Sequence, residues 1–267
     1  MASFTTPDGV EIAYDDIAPP GSQGATIVLI HGFASNRNEG WRRTGWYGAF
    51  ERRGIRVIAL DQRGHGESAK LYEPQDYERE KLAADVLNLM DDRGVDRAHV
   101  FGYSMGTRTA LELAIAQPDR VNHLILGGVG AKFLEPREAD DGDPDRMAKA
   151  MLADDPATIT DPMLKSFRQF ADEQGEDLKA LAAVTRVKNM PFRRDAMGAL
   201  PMPVLVVSGV GDTLAGDPQG LADVFPHGHA VAVPGCDHFS AIPHALTKAA
   251  VFDFLDGLLD DDFPPFE

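Results

Sequence analysis

The sequence predicts a three-layer α/β fold, in which helices cover both faces of a mostly parallel β-sheet. Short apolar runs, such as those at 26–30 and 204–208, are typical of strands that are buried on both faces. Segments with helical periodicity separate these runs, and such alternation produces parallel strands joined by right-handed crossovers. The chain of 267 residues is also long enough to bury one core of this kind.

The predicted elements follow one another in a regular order. Two short antiparallel strands come first, within 2–17, around the turn signal Pro7-Asp8-Gly9. Buried strands and helices then alternate along the chain. The further predicted strands lie at 26–30, 56–60, 99–101, 123–130, 204–208 and 230–233. The predicted helices lie at 41–53, 78–92, 107–116 and 244–259.

Residues 131–200 interrupt this alternation. They contain several short helical patterns and no convincing strand, although strands are predicted on both sides. A stretch of roughly 70 residues is too long for a simple loop. We therefore expect a core formed by 1–130 and 201–267 and a helical lid formed by 131–200. An insertion that follows the carboxyl end of a strand would lie over the sheet edge where α/β folds bind ligands.

The most informative motif is Gly102-Tyr-Ser104-Met-Gly106, which stands between a predicted strand and a predicted helix. A serine hydroxyl is a weak nucleophile until a base activates it. At the tip of a tight strand-to-helix turn, the hydroxyl is exposed above the sheet, beside the positive end of a helix. Side chains at 102 and 106 would clash as the turn doubles back. We predict that Ser104 is a catalytic nucleophile.

His238 is the base predicted for Ser104. It follows a strand directly and therefore lies at the same edge of the sheet as the serine. Of the histidines weighed against it, His99 and His123 lie at strand starts, His227 and His229 flank a turn, and His244 lies at a helix start. A base at this place can accept the proton of the serine hydroxyl.

Asp212 is the predicted acid, because it follows the strand next to the one that leads to His238. A carboxylate there can bind the δ nitrogen of the imidazole and stabilise its charged form. The strand at 124–130 ends in glycines and offers no carboxylate, which strengthens this choice. Asp217 is the second choice, and Asp237 is disfavoured because it is the sequence neighbour of His238.

The amides of Phe33 and Met105 are the predicted donors to an oxyanion. Met105 follows the nucleophile at a helix start, and Phe33 follows His31-Gly32 at the end of a neighbouring strand. The residues predicted to contact substrate are Phe33, Tyr103, Phe167, Phe170 and Phe239. The apolar residues of the insertion that either line a pocket or pack the insertion onto the core are Met147, Met151, Leu164, Phe167, Phe170, Met190, Phe192 and Met197.

The chain resembles the α/β-hydrolase family over nearly its whole length. The motifs that carry the resemblance are His31-Gly-Phe33, Asp61-Gln-Arg-Gly-His-Gly-Glu-Ser68, Gly102-Tyr-Ser-Met-Gly106, and Gly211-Asp212 followed by Gly235-Cys-Asp-His238. The order Ser, Asp, His is the order of that family. The resemblance implies the same nucleophile, acid, base and oxyanion amides as the residues themselves suggest. It also implies that the loop 61–68 is structural, and it disfavours dehalogenases and epoxide hydrolases, which carry aspartate where this chain has Ser104.

These residues predict a serine hydrolase, and a carboxylesterase acting on a small to medium, partly apolar ester is the leading hypothesis. The second hypothesis is a carbon–carbon bond hydrolase of a diketone-like acid, which would need a cation for the substrate carboxylate. The candidate cations, for which surface ion pairing is the alternative, are Arg42, Arg43, Arg186, Arg193 and Arg194. Lactonase, thioesterase and cofactor-free perhydrolase chemistry would use the same triad. A non-catalytic ligand receptor is the third hypothesis, against which the three triad residues argue.

Composition and charge restrict the partners. A net charge of −16 argues against nucleic acid. No apolar run approaches the roughly 18 residues that a membrane span needs, and no signal peptide is visible. The single cysteine, Cys236, excludes an internal disulfide and fits a reducing cytoplasm. We expect a cytoplasmic enzyme with a small-molecule substrate and without cofactor or metal, and the sequence leaves a homodimer open.

Overall fold

The computed structural model describes residues 2–20, 24–135, 143, 145–188 and 191–259, which contain eight strands and nine α-helices. The strands are β1 (Ala2–Thr5), β2 (Glu11–Ile17), β3 (Thr26–Ile30), β4 (Arg56–Leu60), β5 (Ala98–Tyr103), β6 (Val121–Gly127), β7 (Val204–Gly209) and β8 (Gly228–Val233). The helices are α1 (Trp46–Glu51), α2 (Arg79–Asp92), α3 (Met105–Ala116), α4 (Arg146–Leu152), α5 (Pro162–Gln174), α6 (Leu178–Thr185), α7 (Arg194–Gly198), α8 (Pro218–Ala222) and α9 (Ala245–Leu255). None of the helices in these ranges is long and apolar enough to cross a membrane.

The strands form one sheet in the order β1-β2-β4-β3-β5-β6-β7-β8. The pairs β1–β2 and β2–β4 are antiparallel, and the other five pairs are parallel, so the predicted fold class is confirmed. After β3, strand β4 is added on one side of it, and strands β5 to β8 are then added in order on the other side. Such a change of direction opens a crevice at the carboxyl ends of the two central strands. This crevice lies beyond Ile30 and Tyr103, where the sequence places the catalytic segments.

Alternate residues of the central strands face opposite layers of helices. Val28 and Ile30 of β3 belong to the core shared with α2, α3 and α8, whereas Ile27 and Leu29 belong to the core shared with α1 and α9. Neighbouring residues in a strand point to opposite faces, so both faces of this sheet require apolar side chains. This explains why its strands read as continuous apolar runs rather than as alternating ones.

The helix predicted over 41–53 is divided in the structure. A π-helix covers Asn38–Arg42, and α1 begins only at Trp46. Gly45 separates the two with a φ of 83°, a left-handed conformation that glycine adopts without steric cost. In the sequence, Gly45 and Gly48 weaken the predicted helix without showing where it divides. The tryptophans on the two sides of the break, Trp41 and Trp46, are both buried.

Between β6 and β7, the described residues contain helices and turns but no strand. Phe167 of α5 and Leu181 of α6 pack with Ala34, which belongs to the loop after β3. Glu176, in the turn between α5 and α6, accepts hydrogen bonds from the Gly66 amide at 2.8 Å and from Asn36 Nδ2 at 3.1 Å. The helices of this insertion are therefore docked on the core beside the crevice. The division into core and lid at 131–200 stays a prediction.

His99 lies near the amino end of β5, at the edge of the sheet opposite the crevice. Its ring lies 4.8 Å from the ring of His123 on β6. Burial, and then the charge of His123, lowers the pKa of His99 from 6.5 to about 4. The folded protein therefore resists protonation of this side chain.

The His99→Phe variant is expected to lose less stability in acid than the wild type. A histidine with a lowered folded pKa stabilises the fold above the unfolded pKa of 6.5, and this contribution is lost as the pH falls toward 4. Between about pH 7 and pH 5, the free energy of unfolding of the wild type should fall by up to about 2 kcal/mol more than that of the variant. Urea unfolding at both pH values measures this difference, and His227→Gln, at an exposed position, is the control. An equal loss in His99→Phe and wild type would contradict the assignment.

Candidate active site

Ser104 has an unusual backbone conformation between β5 and α3. Its φ of 53° and ψ of −114° form the sharp turn that leads from the strand into the helix. A Cβ atom on Gly102 would lie 2.3 Å from the Gly106 carbonyl oxygen, and one on Gly106 would lie 2.2 Å from the Ile30 carbonyl oxygen. The turn therefore packs against itself and against the end of β3, and this packing requires glycine at both positions.

His238 connects Ser104 to Asp212 through two hydrogen bonds. Its Nε2 lies 2.9 Å from Ser104 Oγ, and its Nδ1 lies 2.8 Å from Asp212 Oδ2. The other oxygen of Asp212 accepts from the amides of Leu214 and Ala215, both at 3.0 Å. Because the carboxylate accepts at Nδ1, the lone pair of Nε2 is directed at the serine hydroxyl. This arrangement can remove the proton of Ser104.

The two other acids near His238 have different partners. Asp217 caps α8 by accepting from the Gln219 amide at 3.1 Å. Asp237 accepts from the amides of Phe239 and Ser240 within its own loop. Asp212 is therefore the carboxylate that meets the imidazole. Within the described ranges, no group of three or more His, Cys, Asp or Glu side chains is arranged to hold a metal ion.

His31 orients the peptide that carries the Phe33 amide. Its Nε2 accepts from the Gln62 amide at 2.9 Å, so the ring proton is on Nδ1, which donates to the Gly32 carbonyl at 2.7 Å. Burial lowers the pKa of His31, which favours the neutral ring that this pattern needs. In a trans peptide the N–H points away from the carbonyl, so the Phe33 amide is directed away from His31. A Cβ on Gly32 would lie 3.3 Å from Ser104 Cβ, so this peptide borders the serine.

The amides of Phe33 and Met105 have no hydrogen-bond acceptor among the described residues. Met105 is the first residue of α3, where backbone amides are left without a helical partner and the helix dipole is positive. Both amides therefore flank Ser104 and are available to a ligand. Two such donors can stabilise a negatively charged oxygen.

Four of the five residues predicted to contact substrate form a connected group of rings, which we call the aromatic cluster: Phe33, Phe167, Phe170 and Phe239. The ring centroids of Phe33 and Phe167 are 5.9 Å apart, and those of Phe167 and Phe239 are 5.8 Å apart. Phe170 lies 6.0 Å from Phe239, whose ring is also 5.5 Å from that of His238. Helix α5 thus connects the loop after β3 with the loop that carries His238.

Tyr103 is the fifth residue predicted to contact substrate, and its ring lies 5.7 Å from the ring of His238. The side chain is 5% exposed, and its hydroxyl donates to the backbone carbonyl of His238 at 2.7 Å. Burial raises the pKa of Tyr103, and the charges of Asp212 and Asp237 raise it further, so the phenol keeps its proton. The predicted substrate contact of Tyr103 stays a prediction, and the structure adds the contact of its hydroxyl with the backbone of His238. The sequence could not show this, because a residue next to a nucleophile can face either side.

Other apolar residues of the insertion pack internally. Met151 and Met197 are fully buried, and Phe192 stacks on Phe133 at 5.5 Å. Met190 lies outside the described residues. For these side chains the packing alternative describes the structure better than a pocket, and the phenylalanines of α5 are the ones that reach the aromatic cluster.

Sequence reasoning missed Arg37. Asp61, which is 1% exposed, accepts from the backbone amide of Arg37 at 2.6 Å and from its guanidinium group. Asp61 also accepts from the Glu67 amide at 2.8 Å. These bonds join the loops after β3 and β4 beneath the site. Arg37 precedes a short helix without a strand pattern, so nothing in the sequence marks it as a partner of Asp61.

A family model described as alpha/beta hydrolase fold matches residues 25–182, which is more than half of the chain. The chain belongs to the α/β-hydrolase family. It is 33% identical to the dihydrolipoyllysine-residue acetyltransferase component of the acetoin cleaving system of Pseudomonas putida, over 82% of this chain and 60% of that protein. This chain therefore spans about three fifths of the length of that curated relative.

Two further comparisons cover most of both chains. The chain is 29% identical to a 2-hydroxy-6-oxononadienedioate/2-hydroxy-6-oxononatrienedioate hydrolase of Burkholderia vietnamiensis, over 89% of this chain and 88% of that protein. The crystal structure of a hydrolase from Pseudomonas aeruginosa PA01 superposes with a TM-score of 0.77, at 24% identity, over 95% of this chain and 97% of that chain. The structural match supports the fold alone, and the names of the two curated relatives describe different activities.

The Gly106→Ala variant is expected to be strongly destabilised. The added methyl would meet the carbonyl oxygen and carbon of Ile30 at 2.2 and 2.8 Å, and backbone atoms cannot rotate out of the way. We expect a loss of about 3 kcal/mol in the free energy of unfolding, measured by urea denaturation. Gly48→Ala is the control, because its methyl meets only the flexible Arg52 guanidinium at 3.3 Å, and it should be neutral or slightly stabilising. Similar stabilities for the two variants would contradict the packing argument.

Proposed function

We propose that this α/β-hydrolase is a serine hydrolase that cleaves a carboxylic ester of a small to medium, partly apolar substrate through an acyl-enzyme. One observation carries the proposal: His238 lies within hydrogen-bond distance of both Ser104 Oγ and the Asp212 carboxylate. A serine nucleophile needs a base in contact with its hydroxyl and a group that orients the base. These three side chains meet both needs.

In the first half of the reaction, Ser104 Oγ attacks the ester carbonyl while its proton moves to His238 Nε2. The negative oxygen of the tetrahedral intermediate accepts hydrogen bonds from the amides of Phe33 and Met105. His238 then gives the proton to the leaving alkoxide as the carbon–oxygen bond breaks, and the acyl group stays on the serine. Asp212 stabilises the imidazolium that exists between these two proton transfers.

In the second half, water replaces the departed alcohol. His238 Nε2 takes a proton from this water, whose oxygen attacks the acyl carbon. The second tetrahedral intermediate collapses when the bond to Ser104 breaks and the proton returns from the imidazolium to the serine oxygen. The products are a carboxylic acid and the free enzyme, so the cycle needs no cofactor.

The aromatic cluster supports a partly apolar substrate. It extends from Phe33, whose amide is a proposed oxyanion donor, to Phe239, which adjoins the base. Phe239 is 44% exposed, so it offers an apolar surface to a ligand rather than to the core. Covering such a surface with an acyl chain or an aryl group is favourable by about 25 cal/mol for each Å².

Carbon–carbon bond hydrolysis of a diketone-like acid is the second candidate function. The Burkholderia vietnamiensis relative, aligned over most of both chains, supports it. Against it, most of the arginines that could bind a substrate carboxylate already have acidic partners. These pairs are Arg42–Asp15, Arg43–Glu39, Arg186–Asp145 and Arg193–Asp195. Rapid turnover of a vinylogous diketone acid together with negligible esterase activity would decide for this candidate.

The Ser104→Ala variant is expected to lose hydrolysis of short nitrophenyl esters by at least about 1000-fold, because the nucleophile is absent. Initial rates at saturating substrate, together with covalent labelling by a fluorophosphonate, measure the loss. Ser166→Ala removes an exposed hydroxyl on α5 and is the matched control, with full activity and labelling expected.

Turnover that survives in Ser104→Ala would remove this residue from the mechanism. A wild-type protein that neither hydrolyses the ester panel nor reacts with the fluorophosphonate would favour the non-catalytic receptor. A poor choice of esters can be told apart from a missing nucleophile, because the fluorophosphonate labels the serine even where the chosen esters are poor substrates.

The Phe170→Ala variant is expected to weaken selection for longer acyl chains. Its ring is partly exposed and contacts Phe239, so an apolar chain against the aromatic cluster would lose contact area. KM for a nitrophenyl hexanoate should rise about 5- to 20-fold, while KM for the acetate stays within about twofold. Steady-state kinetics on both esters measure this. Phe4→Ala, on the edge strand β1, is the control, and equal changes for both esters would argue against a chain-binding role.

A further inference from the structure

Tyr103 completes a closed ring of contacts around the nucleophile and the base. It directly precedes Ser104 in the chain, and its hydroxyl donates to the His238 carbonyl oxygen at 2.7 Å. The imidazole of the same histidine returns to Ser104 Oγ at 2.9 Å. Ser104 and His238 are therefore joined twice, once through the reacting atoms and once through the phenol of Tyr103.

Among the described residues, the other hydrogen bonds that shape the loop of His238 are made by residues before and after it, not by the His238 backbone. The backbone carbonyl of Cys236 accepts from the Gly211 amide at 2.8 Å, and this bond connects the start of the loop to the loop of Asp212. Asp237 accepts from amides of the two residues that follow His238, so these bonds shape the loop from within. At His238 itself, the bond to the backbone carbonyl comes from Tyr103. The phenol therefore holds the backbone carbonyl of His238, whereas Asp212 holds its imidazole.

Two consecutive glycines at the end of β6 make room for this phenol. A Cβ atom on Gly127 would lie 2.6 Å from Tyr103 Cδ2, and one on Gly128 would lie 2.9 Å from Tyr103 Cε1. The Gly128 Cβ would also lie 3.2 Å from His238 Cε1. The Ser104 amide donates to the Gly127 carbonyl at 2.8 Å, so the same segment also supports the nucleophile. The ring of Tyr103 thus occupies a space that is open because residues 127 and 128 have no side chains.

We propose that Tyr103 is a positioning residue for the hydrolytic reaction and that it sets the distance between Ser104 and His238 through its bond to the His238 carbonyl. This inference rests on the proposed serine-hydrolase function. Loss of the hydroxyl would leave a buried carbonyl without its donor and would let the His238 loop shift. A misplacement of about 1 Å in a catalytic group can slow a reaction about 100-fold.

The Tyr103→Phe variant tests the proposal, because it keeps the ring between the glycines and removes only the hydroxyl. We expect kcat for a nitrophenyl ester to fall about 10- to 100-fold while KM stays within about twofold, since the aromatic cluster is unchanged. The rate of fluorophosphonate labelling should fall by the same factor as kcat. A kcat within about twofold of the wild type would overturn the proposal.

Tyr77→Phe is the matched control. Tyr77 is also buried, and its hydroxyl also donates to a backbone carbonyl, that of Leu71, at 2.6 Å. It lies in the turn before α2, outside the proposed site. Both variants lose a buried phenol–carbonyl bond, so both should lower the melting temperature, but only Tyr103→Phe should lower kcat. Equal losses of kcat in the two variants would reduce the role of Tyr103 to general stability.

Histidine-ring NMR separates this inference from the proposed function. The ring nitrogens of His238 report their hydrogen bonds to Asp212 and Ser104 whether or not the test ester is a substrate. We expect Tyr103→Phe to shift or broaden these signals and Tyr77→Phe to leave them unchanged. If the wild type neither hydrolyses the esters nor reacts with the fluorophosphonate, the proposed hydrolase function fails, and the signals still show whether Tyr103 positions the ring. Unchanged signals in Tyr103→Phe would overturn the proposal.

Discussion

The close contact between the turn at Ser104 and the end of β3 is the constraint on which the site depends. Gly106 lies against the Ile30 carbonyl with no room for a methyl group, and a Cβ on Gly32 would lie 3.3 Å from Ser104 Cβ. Two strands that are neighbours in the sheet thus place their carboxyl-end loops in direct contact. The serine and the peptide that carries the Phe33 amide are adjacent because no side chain separates them.

Beneath this contact, buried polar groups hold the loops in place. His31 uses both ring nitrogens, one toward Gln62 and one toward the Gly32 carbonyl, and Asp61 binds two amides and the guanidinium of Arg37. Buried groups of this kind cost free energy unless each is paired. Their pairing restricts the loops after β3 and β4 to one arrangement, and that restriction preorganises the amides beside Ser104.

Much of the fold and the centre of the site could be predicted from the sequence, because apolar periodicity and position after a strand are local signals. Ser104, Asp212 and His238 each follow a strand, and parallel strands bring their carboxyl ends to one edge. Three features could not be predicted. Gly45 weakens the predicted helix without showing that the chain breaks there, Arg37 has no local signal, and the direction of Tyr103 is decided by tertiary packing against Gly127 and Gly128.

The aromatic cluster combines rings from two kinds of segment. Phe33 and Phe239 belong to loops of the sheet that adjoin the proposed catalytic groups, whereas Phe167 and Phe170 belong to α5, which carries none of those groups. Substitutions in α5 can therefore reshape the proposed substrate surface without moving the proposed catalytic groups. This separation makes the scaffold adaptable: duplicated copies can diverge in the molecules that they select while inheriting the same chemistry.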